Sequence, residues 1–295
     1  MLTQLRFAKD LDIFQKEVPY EVFGYPTPTS DRITNCVFET IEPIEIQDVR
    51  ASSENHSLDT SGFTYIRHQS QCEIKAEHFE RAGSSLEKNP VVLAYLDETI
   101  KLVKDQLDAK KVICFDWRFR RTGAPPSVVP EVDDTYDIRL QALAPGLDIH
   151  CDFSHRGGLE RIEMHLLPDE LEAVNRGELS AKIINVWRPL GVVKNAPLII
   201  TDRRTVLQED LMEVEKVLPD KVERAYYLKY QPYHKYYYMS SQGPEDVAFF
   251  TTWDLKKGDR TAEIPPHGAA SFFADDYLEN PRESIEVRLI VLFQE

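Results

Sequence analysis

No apolar run in this chain approaches the roughly 20 residues that a membrane-crossing helix needs. The amino terminus, beginning Met1-Leu2-Thr3-Gln4-Leu5-Arg6, lacks the apolar core of a signal peptide. Cysteine is scarce. The four present among 295 residues, Cys36, Cys72, Cys114 and Cys151, are too widely spaced for a zinc or redox pattern. They read as reduced thiols in a cytoplasmic protein. Basic residues are also in deficit, 35 Lys and Arg against 50 Asp and Glu, so the net charge is −15. That balance argues against nucleic acid or an anionic membrane as a partner. Internal repeats and low-complexity linkers are missing too. What remains, 42% apolar and 10% aromatic residues, is ordinary for a globular protein with a substantial core.

The turn-punctuated, β-branched and aromatic texture points to a mainly β fold with flanking helices. Residues 1–110 read as short strands and a supporting helix, and residues 111–295 as a double-stranded β-helix (jelly-roll, cupin-like) core. Together they make a single domain over 1–295. Asn89-Pro90 pairs a good N-cap with a good first-turn residue. The helix that follows should bury Leu93, Leu96, Ile100, Val103 and Leu107, which recur at three- and four-residue intervals. Strands are expected at Cys36–Glu42, Val112–Phe119, Ile183–Arg188, Pro197–Thr201, Ala225–Tyr230, Tyr236–Met239, Val247–Thr251 and Ser284–Phe293, and a short helix near Pro168. A Pro-rich loop runs from Gly123 to Pro130, and residues 50–90 are the candidate lid.

The chemistry concentrates in His150-Cys151-Asp152. Residues i and i+2 of a strand point the same way, with Cα atoms roughly 6.5–7 Å apart, so this imidazole and carboxylate can close on one metal ion. His267, in Pro265-Pro266-His267-Gly268, would complete two nitrogens and one oxygen, the facial triad of non-heme Fe(II) oxygenases. His234 is the rival third ligand. A flanking surface loop is the plainer reading of His-x-Asp, but a downstream anion site strengthens the metal one. Enzymes using such a triad with 2-oxoglutarate hold its far carboxylate with an arginine on the last core strand. Two arginines compete here, Arg282 with Ser284 two residues on, and Arg288, which shares a face with Ser284 and Glu286. A structural Arg288–Glu286 pair is the alternative. Asn185 and Trp187 alternate onto one strand face and are assigned to the cavity, Asn185 to the 2-oxoglutarate site and Trp187 to the substrate pocket. Arg188, Arg120, Tyr236 and Tyr238 are further pocket candidates, because a basic island and a tyrosine cluster suit an anionic ligand in an acidic protein.

These strings resemble a known family. Asn185-Val-Trp-Arg-Pro-Leu, His150-x-Asp152 with Ser154 behind it, Lys229-Tyr-x-Pro-x-His-x-x-Tyr-Tyr and Pro281-Arg-Glu-Ser-Ile-Glu-Val-Arg are similar to the fungal hydroxylase/desaturase family. That family is typified by gibberellin desaturase and aspergillic-acid hydroxylase/desaturase, and is related to the cephamycin methoxylation protein. The similarity runs from about residue 110 to the end. It implies an Fe(II)- and 2-oxoglutarate-dependent oxygenase that hydroxylates, desaturates or oxidatively cyclises a small amino acid or secondary metabolite with O2. It also implies that His150, Asp152 and His267 hold the iron, while leaving Arg282 and Arg288 as alternatives. Trp117 and Cys151 depart from the family pattern, which favours histidine and an aliphatic residue there. The rivals are a metal-dependent hydrolase or isomerase on a cupin-like fold and a non-catalytic ligand-binding shell. Oligomeric state stays open, a homo-oligomer included.

Overall fold

A computed structural model describes residues 1–22, 34–79, 89–124, 139, 142–218, 221–256, 262–270 and 280–295. In chain order the strands begin with β1 (Leu2–Ala8), β2 (Tyr20–Val22), β3 (Phe38–Asp48) and β4 (Phe63–Arg67). Helix α1 (Pro90–Leu107) follows, then β5 (Lys111–Arg121), β6 (His150–Cys151), α2 (His155–His165) and α3 (Pro168–Asn175). The remainder is β7 (Leu179–Pro189), β8 (Leu198–Thr201), β9 (Leu211–Val217), β10 (Val222–Leu228), β11 (Tyr236–Tyr238), β12 (Asp246–Asp254), β13 (His267–Ala269) and β14 (Glu283–Gln294). Of the Pro-rich loop and the lid segment, residues 125–130 and 80–88 lie outside the described residues.

Two curled sheets make the jelly-roll. The larger has nine strands in the order β1-β3-β11-β8-β13-β6-β10-β9-β2, and the smaller five in the order β4-β12-β7-β14-β5. Alternation sorts their side chains cleanly. Trp187, Ala248 and Phe250 of the small sheet meet Leu198, Ile200 and Tyr237 of the large one between the two layers. Val186, Phe249, Ile285 and Val287 point outward from the small sheet, where α1 covers them. On the large sheet the opposite face carries Ile149, Ile199, Leu228 and Tyr236, packed under Leu5 and Phe7 of β1.

Helix α1 begins as expected, since the Asn89 side chain accepts from the amides of Val91 and Val92. Its buried stripe is rotated from the expected one. Val92, Tyr95, Leu96, Thr99, Leu102 and Val103 are buried, whereas Leu93 is 42% exposed. The buried face includes a tyrosine and a threonine that a search for aliphatic spacing passes over. Thr99 stays satisfied by donating to the Tyr95 carbonyl at 2.8 Å.

Helix α2 starts directly after the His-x-Asp strand, with Ser154 as its cap and the Gly157 amide donating to Ser154 Oγ at 3.1 Å. The glycine pair lets the helix come close to the sheets. A Cβ on Gly157 would stand 2.1 Å from the Arg224 carbonyl oxygen, and one on Gly158 only 1.9 Å from Trp253 Cδ1. The Trp253 indole in turn donates to the His155 carbonyl at 2.8 Å, tying β12 to the helix start. Gly158→Ala forces a rigid ring or the helix to move and should lower stability by about 1–3 kcal/mol in urea denaturation. Gly191→Ala, whose Cβ would meet nothing within 4 Å, serves as the control; equal midpoints for the two variants would contradict the close-approach account.

Candidate metal and carboxylate site

Strands β6 and β13 are neighbours in register, with His150 directly opposite His267. Cross-strand partners project on the same face, and the two rings stand 4.7 Å apart between centroids. Asp152, two residues along from His150, joins them. Its Oδ1 lies 3.8 Å from His150 Nε2 and its Oδ2 3.9 Å from His267 Nε2. One donor atom from each residue falls within 4.8 Å of the other two. The second nitrogens face backbone carbonyls, His150 Nδ1 at 2.7 Å from Asp148 O and His267 Nδ1 at 3.4 Å from Pro265 O. A proton on each Nδ1 leaves both Nε2 lone pairs turned into the cluster, the arrangement that metal-binding imidazoles need.

The electrostatics agree with this arrangement. Burial, and next His267, hold His150 well below its ordinary value, and burial likewise lowers His267. Both imidazoles are therefore neutral and ready to donate. Burial works against ionisation of Asp152, but Arg288 above all, with the hydrogen bond from Asn185, keeps its pKa below the usual carboxylate range. Two neutral nitrogens and one anionic oxygen is the donor set of the two-histidine, one-carboxylate site.

Both oxygens of Asp152 are also held from the small sheet. Asn185 Nδ2 donates to Oδ2 at 2.7 Å, and Arg288 Nη2 to Oδ1 at 2.9 Å. The expectation that Asn185 reaches for 2-oxoglutarate is thus not what its amide does here. The two competing arginines sit in opposite environments. Arg288 is ringed by carboxylates, with Nε 2.9 Å from Glu286 Oε1 and Nη1 3.5 Å from Asp116 Oδ2 besides its bond to Asp152. Arg282 is buried, and it donates through Nη1 to the neutral Ala196 carbonyl at 2.6 Å and lies over the Trp187 ring at 5.4 Å. Its Nε and the Oγ of Ser284 are buried without a hydrogen-bond partner among the described residues. Burial and the nearby Arg120 push the Arg282 pKa down to about 9. A buried cation destabilised in this way would be stabilised by an anion.

Trp187 lies between the sheets, packed with Phe63, Leu198, Ile200 and Phe250. Arg120 pairs in register with Ser284 and so shares its face, donating to the Ala144 carbonyl at 2.9 Å. Three pocket expectations fail on parity. Arg188 points outward, where it bonds Tyr95 Oη, the carbonyls of His68 and Pro244, and His68 Nδ1, stapling β7 to α1. Tyr236 packs under β1, and Tyr238 directs its hydroxyl to Met1 Sδ. Tyr237 is the tyrosine between the sheets, and three identical residues in a row carry no signal for which one that is. His234 is absent from the cluster; it pairs with Asp210 at 3.1 Å. Trp117 packs in the outer core beneath α1, away from the cluster. Asp116 escaped sequence reasoning, although alternation with Arg118 and Arg120 places it on the inner face.

Fold and site together define a jelly-roll protein with a two-histidine, one-carboxylate cluster and a separate buried arginine and serine, Arg282 and Ser284. The chain belongs to the family described as "Oxidoreductase/YMDC permease-like domain", whose model matches residues 5–292. It is similar to the hydroxylase/desaturase efuI of Hormonema carpetanum, 27% identical across 86% of this chain and 84% of that one. It is similar at 27% identity to the alpha-ketoglutarate-dependent dioxygenase tstK of Talaromyces stipitatus, covering 85% of this chain and 84% of the relative. Among solved structures, a variant of the iron and alpha-ketoglutarate-dependent endoperoxidase NvfI superposes with a TM-score of 0.79 at 24% identity, over 100% of this chain and 98% of that one. Among the described residues no helix is long and apolar enough to cross a membrane.

Six of the eight histidines, His56, His68, His150, His165, His234 and His267, are held below their ordinary value, in each case first by burial. Unfolding raises these values toward about 6.5, so the unfolded chain binds more protons as pH falls through that region. Stability of the metal-free protein should therefore be lower at pH 5.5 than at pH 7.5, by about 1–3 kcal/mol. Urea midpoints at the two values check this, and an equal or higher midpoint at pH 5.5 contradicts it.

Proposed function

We propose that this protein is an Fe(II)/2-oxoglutarate-dependent oxygenase that hydroxylates, desaturates or oxidatively cyclises a small metabolite. The observation that carries the reading is the pairing of a metal-ligating cluster with a buried arginine and serine on one inner surface. His150, Asp152 and His267 would hold the iron, and Arg282 with Ser284 would hold the distal carboxylate of 2-oxoglutarate. The fit of the second site rests on its two orphaned atoms, Arg282 Nε and Ser284 Oγ, which a carboxylate satisfies together. Arg288 suits that role poorly, because its guanidinium already faces three carboxylates. A hydrolase using the same metal cluster has no need for such an anion receptor.

When bound, iron and 2-oxoglutarate supply the means to oxidise an unactivated C–H bond with O2. This chain's own residues bind, orient and exclude water. Trp187, two residues from both Asn185 and Pro189 on the inner face, would form the floor between the metal cluster and Ser284. Phe250 packs against His267 at 4.6 Å and limits where that imidazole can turn. Arg120 supplies a cation beside the receptor and is the residue we assign to the substrate. Positioning of one C–H bond by these groups selects among the outcomes.

The match over residues 5–292 supports reading the chain as a single oxygenase domain. The names of its relatives support a small-molecule substrate and O2 as reactants. The acidic balance speaks against nucleic acid, and four free thiols favour a reducing, cytoplasmic setting. Succinate released from 2-oxoglutarate under air, even without substrate, is the product to measure. Arg282→Met should raise the KM for 2-oxoglutarate by at least about tenfold, given that charge-assisted bonds contribute roughly 1.5–3 kcal/mol. No iron-dependent succinate from the unaltered protein, or an unchanged KM in the variant, would defeat the assignment.

A further inference from the structure

We infer that Arg288 is a positioning residue for the metal ligand Asp152 and that Glu286 and Asp116 hold it in that role. The inference rests on the metal reading of the cluster and assigns a duty that the 2-oxoglutarate reading leaves unfilled. Arg288 lies on the inner face of β14, opposite Asn185 in register, with its side chain 14% exposed. It touches three carboxylates. Nη2 reaches Asp152 Oδ1 at 2.9 Å and Glu286 Oε1 at 2.8 Å, Nε reaches Glu286 Oε1 at 2.9 Å, and Nη1 faces Asp116 Oδ2 at 3.5 Å. Arg118 completes the network through its contact with Asp116 at 2.5 Å.

Three features turn this contact map into a function. First, the guanidinium is planar with a fixed fork of donors, so Glu286 on one edge and Asp116 on another set its orientation before Asp152 is considered. Second, a carboxylate offers about four lone-pair sites across its two oxygens. Arg288 and Asn185 take one on each oxygen of Asp152 and stop the group rotating, which leaves its inward lone pairs toward His150 and His267. Third, the network of Asp152, Glu286, Asp116, Arg288 and Arg118 holds one more carboxylate than guanidinium. A divalent cation beside Asp152 complements that excess, whereas a ligand carboxylate arriving at Arg288 would be a fourth anion next to Glu286 and Asp116. Outer partners of this kind typically change metal affinity by about 10–100-fold when removed.

Cobalt(II) absorption titrations of the full chain test the inference without turnover, followed by 2-oxoglutarate titrations of the cobalt-loaded proteins. Arg288→Met should weaken cobalt binding by about 10–100-fold while leaving 2-oxoglutarate affinity of the saturated protein unchanged. Arg288→Lys, which keeps the charge but loses the fork, should recover part of the loss. Arg282→Met should show the reverse, with cobalt binding intact and 2-oxoglutarate binding lost. Wild-type cobalt affinity in Arg288→Met, or loss of 2-oxoglutarate affinity there, overturns the inference. Should that variant fail to fold, Glu286→Gln keeps the shape and removes one anchoring charge; a weaker cobalt site supports the inference and an unchanged one overturns it. Cobalt binding without 2-oxoglutarate binding in the unaltered protein would sink the oxygenase reading and leave the Arg288 assignment standing. No cobalt binding at all would sink both.

Discussion

Asp152 is a carboxylate enclosed between two sheets, and the fold around it is arranged to keep it ionised and still. Burial of a lone carboxylate is strongly unfavourable, so the group would take up a proton unless cations and donors surround it. Arg288 and Asn185 provide these from the small sheet, and the neighbouring imidazoles flank it from the large one. Every other part of the site is referred to that anchored group. The pairing of β6 with β13 fixes the two histidines relative to each other, and Ser154 with Gly157-Gly158 turns the chain into α2 immediately behind the carboxylate.

The inner face of β14 then acts as a graded surface. Ser284, Glu286 and Arg288 alternate along it at strand spacing, with Arg282 just before the strand. At one end Arg288 is saturated with carboxylates; at the other Arg282 meets, among the described residues, the neutral Ala196 carbonyl and the Trp187 ring, and burial and Arg120 push its pKa down to about 9. Two arginines six residues apart thus have opposite electrostatic needs. One faces carboxylates that the protein already owns, and the other faces a neutral carbonyl and an indole ring. The proposed division between a positioning arginine and a binding arginine rests on that contrast.

Much of this was legible in the sequence because strand alternation is a strict rule. His150 with Asp152, Asn185 with Trp187, and Ser284 with Arg288 all share faces in the structure as period two requires. The cap at Asn89 and most core strands were also readable, since turn residues and β-branched runs mark them. Sequence could not say which face of β11 turns inward, because Tyr236, Tyr237 and Tyr238 are identical to any pattern search. Nor could it say that Arg188 serves α1 rather than the cavity, since a buried arginine on either face needs partners that only tertiary structure supplies. The choice between Arg282 and Arg288 likewise depends on Asp116 and Ala196, which belong to other segments of the chain. The close approach of α2 had a signal in the Gly157-Gly158 pair, but its meaning depends on Trp253, about a hundred residues later.

The central claim is that one inner surface holds a metal and a chelating 2-oxo acid at the same time. Anaerobic addition of Fe(II) and then 2-oxoglutarate to the metal-free protein tests it most directly, by absorption in the visible. The account predicts a weak charge-transfer band that needs both additions, saturates at one iron per chain, and disappears in His267→Ala. Tight iron binding with no band on adding 2-oxoglutarate would contradict it.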